Sequence, residues 1–172
     1  MLETSRTRIR RLRLFLRDFR VVEANASFAD GQSLAHYLAQ RRAWVTLLDA
    51  HWPGTGDRSP VIALRVHQIL WIETHNGEVP AVTSSAAPNP RAVEVRLDGG
   101  LVLRGCLPML EGQRLADYLE SAGAFVPLMQ AHLLRNGRPP RKTNVVLHDV
   151  AINRDAIQTV SEAEKTPAEP PH

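Results

Sequence analysis

Gly31-Gln-Ser-Leu-Ala-His-Tyr-Leu-Ala-Gln40 recurs in the second half of the chain as Gly112-Gln-Arg-Leu-Ala-Asp-Tyr-Leu-Glu-Ser121. The match continues without a gap, Ala43-Trp-Val-Thr-Leu-Leu-Asp-Ala-His51 aligning with Ala124-Phe-Val-Pro-Leu-Met-Gln-Ala-His132. Over residues 31–52 and 112–133, 11 of 22 pairs are identical. A period of this kind is read before any local pattern, because it says the chain holds one fold twice. Upstream, Leu12, Leu14 and Leu16 align with Val93, Val95 and Leu97. Downstream the second repeat carries an insertion around Asn136–Lys142. Beyond it Ala63, Leu64, Ile69 and Ile72 align with Ala151, Ile152, Ile157 and Val160.

The repeat decides the reading of the first segment. Taken alone, Ile9, Leu12, Leu16 and Phe19 recur at helical spacing. The partner segment Ala92-Val-Glu-Val-Arg-Leu-Asp-Gly-Gly100 alternates strictly and ends in a turn signal, so it is a strand entering a hairpin. Two copies of one fold share it, so Arg11–Arg17 is also a strand, with Leu12, Leu14 and Leu16 inward. Each repeat then reads as five short strands. A short helix, Gln32–Arg41 or Gln113–Ala122, stands between the second and third, and a tight turn precedes the fifth.

The expectation is an α+β, β-rich chain of two tandem five-stranded barrel-like modules. The first occupies residues 1–73 with a basic N-terminal arm. A Pro/Ser/Ala-rich linker covers 74–90, the second module covers 91–160, and 161–172 is a disordered tail. Five strands with a tight turn before the last resemble SH3-like or Sm-like small barrels. The repeated Gly-Gln-x-Leu-Ala-x-Tyr-Leu and Ala-His pattern resembles an uncharacterised family of small bacterial β-rich domains. That resemblance implies a fold and assigns no catalytic residue.

Composition narrows the function. In 172 residues, 44% are hydrophobic and 23% charged, a globular balance. No apolar run long enough to span a bilayer is present, so no transmembrane helix is expected. One cysteine, Cys106, excludes a disulfide framework and Cys₂ or Cys₄ zinc sites. It is expected to be a buried, inert thiol. The N-terminal segment Met1–Arg20 lacks the unbroken apolar core of a secretory signal, which points to the cytoplasm, with a peripheral place at the inner membrane as the other expectation.

Charge is uneven. Met1–Arg20 holds seven arginines against Glu3 and Asp18, a balance of +5 within a chain of net charge +3, so the remainder sums to −2. Arg11, Arg13 and Arg17 fall on the outward side of the first strand, extended by Arg6, Arg8 and Arg10, where the second repeat has Ala92, Glu94 and Asp98. Arginine binds carboxylate and phosphate through a planar fork. A solvated face of compositional arginines is the plain alternative to a binding stripe. Trp44 and Trp71 read as core, and Trp52, before Pro53-Gly54, reads as an exposed anchor for a partner. His51 and His132 occupy equivalent positions and are weak candidates for a metal, with only Asp49 as a further ligand and Gln130 in its place in the second repeat.

No phosphate loop, zinc-helix motif, nucleophile elbow or carboxylate pair is present. The shared positions are almost all apolar or glycine, which is a folding signal. The expectation is therefore a protein that is not an enzyme, has no cofactor, and serves as an interaction or assembly module. It would be a peripheral subunit of a larger complex with a protein partner. An anionic membrane surface is a further candidate partner. Nucleic acid bound through the arginine stripe is the alternative function.

Overall fold

Alternating apolar and polar residues produce the strands, and the computed structural model places ten of them in the described residues, 7–29, 37–38, 43–74, 90–134 and 150–163. The first half holds β1 (Thr7–Leu16), β2 (Val21–Ala29), β3 (Trp44–His51), β4 (Arg58–Arg65) and β5 (Ile69–Thr74). The second holds β6 (Pro90–Leu97), β7 (Val102–Pro108), β8 (Phe125–Leu134), β9 (Val150–Asn153) and β10 (Ile157–Glu162). The helix α1 (Leu115–Ser121) lies between β7 and β8. Single 3-10 turns, Val66–Gln68 and Arg154–Ala156, precede β5 and β10.

The expected α+β pair of separate barrels is overturned. The chain is nearly all β, and its strands form one antiparallel sheet in the order β10-β6-β7-β8-β9-β5-β1-β2-β3-β4. Alternation in a sequence fixes which face of a strand is buried. It does not say which free edges meet, and here β5 of the first half pairs with β9 of the second. Of the expected helix 32–41, only Tyr37 and Leu38 lie among the described residues; they are helical and buried. The boundaries also move. Thr74 and Pro90, expected in the linker, end β5 and begin β6, and Ser161 and Glu162, expected in a disordered tail, belong to β10. Residues 75–89 of the linker lie outside the described residues.

The two halves share one internal order, β5-β1-β2-β3-β4 and β10-β6-β7-β8-β9. Their irregularities coincide as well. Asp49 and Gln130, at equivalent positions of the repeat, are non-glycine residues at φ 48° and 49°. Register shifts fall at Glu23/Asn25 against β3 and at Arg104/Cys106 against β8. Such bulges bend a strand and raise its twist. Each half supplies most of one apolar cluster. One cluster gathers Leu12, Leu14, Leu16, Val22, Val45 and Leu47. The other gathers Val93, Val95, Leu97, Leu103, Val126 and Leu128.

The β5–β9 pair serves both clusters, because successive side chains of a strand point to opposite faces. Ile72 and Ala151 face the first cluster, Trp71 and Ile152 the second, and each of these four is buried. Phe125, at the start of β8, also enters the first cluster. Asn153 closes the junction: its Nδ2 donates to the Val66 and Ile69 carbonyls at 3.1 and 2.9 Å, and its Oδ1 accepts from the Asp155 amide at 3.1 Å.

Helix α1 packs Leu115, Tyr118 and Leu119 on the second cluster. Burial pushes the Tyr118 phenol from its ordinary 10 up to about 12. The folded state therefore holds this proton more tightly than the unfolded chain. Its contribution to stability is full below pH 10 and is lost as pH rises toward 12. In alkaline titration the Tyr118 phenol should ionise late by phenolate absorbance, against a Tyr118→Phe control, with the urea midpoint falling over the same range. Ordinary titration of Tyr118 in a chain still folded by circular dichroism would contradict this.

Candidate interaction surface

The outward face of β1 is built by period two, which sets Arg11, Arg13, Phe15 and Arg17 on one side and Leu12, Leu14 and Leu16 on the other. Arg10 falls on the leucine side, so the expected stripe is divided between two faces. Arg6 and the Arg8 side chain lie outside the described residues.

The arginines of the outer face are engaged within the chain. Arg11 meets Glu23 at 2.8 Å, and Arg13 reaches the other Glu23 oxygen at 4.0 Å. Arg13 also lies over the Phe15 ring, 5.4 Å from its centroid. Phe15 in turn stacks on Trp71 at 4.3 Å, and the Trp71 indole donates to Glu73 at 3.1 Å. Arg17 spans the halves, pairing with Asp98 and donating to the His67 carbonyl at 2.5 Å and the Asp155 carbonyl at 3.3 Å. Its guanidinium supports the junction, a use invisible in a charge count.

The tryptophans also depart from expectation. Trp52 is half-buried against the first cluster, its amide bonded to Asp57 and its carbonyl to Thr55 and Gly56, so it anchors a turn. Trp71 is core, but Trp44 is 51% exposed, with the Arg65 guanidinium 4.9 Å from its ring centroid. Trp44 and Phe125 occupy equivalent positions, yet Phe125 is 2% exposed. The difference lies in the neighbours: β5 lies along β9, whereas among the described residues nothing pairs with the outer side of β4.

That edge is the surface the sequence reading missed. It runs the length of β4, with Trp44 and Val61, 55% exposed, beside it. Its sequence signals are the inward spacing of Ile62 and Leu64, which marks a strand, and Pro60, a residue that sheets confine to edges, strand starts and bulges. Near its start a cavity of about 420 Å³ is lined by Arg11, Asn25, Asp49, His51, Arg58 and Ser59. Asn25 donates to Asp49 at 3.1 Å there. Arginine and serine donors at the mouth suit a carboxylate or a backbone carbonyl.

His51 and His132 stand opposite Glu23 and Arg104 in their separate halves. Four strands lie between β3 and β8, so strand pairing does not bring the two histidines together. No cluster of three His, Cys, Asp or Glu able to hold a metal occurs among the described residues. Cys106 is half-buried on β7, and burial pushes its thiol up. No helix among the described residues is long and apolar enough to cross a membrane. No family model, no curated protein and no solved structure matches this chain.

Proposed function

We propose that this chain is a non-enzymatic assembly module, built from a duplicated β unit, that binds a protein partner along the β4 edge. The observation that carries the proposal is that edge itself. A long strand with no outer strand neighbour among the described residues and with flanking apolar side chains is a template for another strand. Its apolar flank is Trp44 and Val61, and Arg58 and Arg65 give it positive ends. Indole and guanidinium side chains are the ones most enriched at the centres of interfaces.

Nucleic acid or an anionic membrane read through the arginine stripe has less support, since Arg11, Arg13 and Arg17 already meet Glu23, Asp98 and backbone carbonyls. The test is co-purification of the tagged full chain from its native cells after cross-linking, with Val61→Lys and an Arg11→Gln, Arg13→Gln pair. Loss of the partner with Val61→Lys alone is the expected result, because an edge lysine opposes strand addition. Loss with the arginine pair alone, together with binding to oligonucleotides or anionic vesicles that fades with salt, would move the site to β1.

A further inference from the structure

We infer that one partner of the β4 edge is a second copy of this chain, whose β10 edge adds to β4 head to tail. The inference rests on the assembly reading above and names its partner. Inside the chain, the fourth strand of the second half pairs antiparallel with the fifth strand of the first, Trp71 opposite Ile152 and Ile72 opposite Ala151. The two strands left without outer neighbours among the described residues are the fourth strand of the first half and the fifth of the second. They are the same two kinds of edge, presented at opposite ends of one sheet.

The register transfers directly. Leu64 and Ala63 correspond to Ile152 and Ala151, and Thr159 and Val160 to Trp71 and Ile72. The equivalence holds in the pairings already made. Trp44 faces Arg65 as Phe125 faces Asn153, and Leu16 faces Ile69 as Leu97 faces Ile157. Repeating the internal junction between chains sets Thr159 opposite Leu64 and Val160 opposite Ala63. It also covers Trp44 as the first half covers Phe125, which explains why a large aromatic side chain stands 51% exposed at that position. Arg65, in the place of Asn153, brings donors for the partner's Arg154 and Ile157 carbonyls.

The new junction is more polar than the internal one, with Gln158 and Thr159 where β5 has Leu70 and Trp71. Association is therefore reversible and concentration-dependent. Its two contacting surfaces differ, so it propagates and yields closed rings or open filaments rather than twofold dimers.

The amides that join the chains can be identified. Val66 donates to the Ala43 carbonyl, so alternation turns the Leu64 and Ile62 amides toward β3 and the Ala63 amide to the free edge. Ala163 donates to the Ala92 carbonyl, which leaves the Val160 amide on the other free edge. Proline at an edge position removes only the outward donor.

The experiment is native mass spectrometry and sedimentation of the purified full chain. Wild type should form species of three or more 19.1 kDa chains as concentration rises. Ala63→Pro and Val160→Pro should each be monomeric alone. Mixed, they should give a one-to-one pair, since one keeps β10 and the other keeps β4. Trp44→Ala, made at an exposed position, should weaken self-association at least about tenfold with unchanged circular dichroism, and it carries the test should a proline variant fail to fold. A wild type monomeric to its solubility limit overturns the inference, as does a Val160→Pro chain that still dimerises or a proline pair that does not combine. A monomer that still captures a partner from native cells through Val61 leaves the assembly reading standing. A monomer that captures none removes both.

Discussion

Replacing Asn153 by Ala should cost about 2–4 kcal/mol of stability, read as a lower urea midpoint at unchanged slope. Asn153 is 2% exposed and the one buried polar side chain among the described residues. Its amide holds two carbonyls of the first half from the last residue of β9. Alanine leaves the Asp155 amide without its cap and the Val66 and Ile69 carbonyls without their Asn153 donor, in a site too closed to replace it cheaply. A buried group that loses its partner costs about 1–3 kcal/mol, more than the net worth of the bond it made. Asn153→Asp separates shape from donors: it keeps the Asp155 contact, withdraws both donors, and sets a carboxylate against two carbonyls. It should be at least as damaging as alanine. A loss below about 1 kcal/mol for both would show that the junction is held by its apolar neighbours alone.

Trp71→Ala should be the most destabilising single change, about 3–5 kcal/mol. The indole is 1% exposed, packs in the second cluster from a strand of the first half, and stacks on Phe15. Its removal opens a cavity where the halves meet, and little can collapse into it because β1, β5 and β9 are all tied into the sheet. The signature should be a single transition, with both halves melting together by near- and far-ultraviolet dichroism. Two separate transitions in the wild type would mean that the shared strand pair does not couple them.

The internal repeat anticipated much of this. The first strand and its inward Leu12, Leu14 and Leu16 were legible because alternation there could be checked against a second copy. The joining of the halves was not legible. Ile72 and Trp71 read as ordinary strand residues, and only the sheet shows that they serve opposite clusters. Arg17 and Asp98 stand at equivalent positions of the two repeats. The sequence displays them as a difference between copies, and the structure makes them an ion pair. Trp44 failed for the same cause. Its partner position, Phe125, is buried by a strand from the other half, and nothing in a local pattern announces a missing neighbour.

The sharing of β5 and β9 also orders events during synthesis. The first half emerges from the ribosome with a core that lacks Phe125 and Ala151 and a last strand that lacks its neighbour. Trp71 must wait for Ile152, a full repeat further along the chain, before its pairing is made. Contacts of such separation carry the largest loop-closure cost and form slowly. The nascent first half therefore spends the time of translating the second with an open β5 edge, and that interval is when a chaperone, or a neighbouring nascent copy, has access to it.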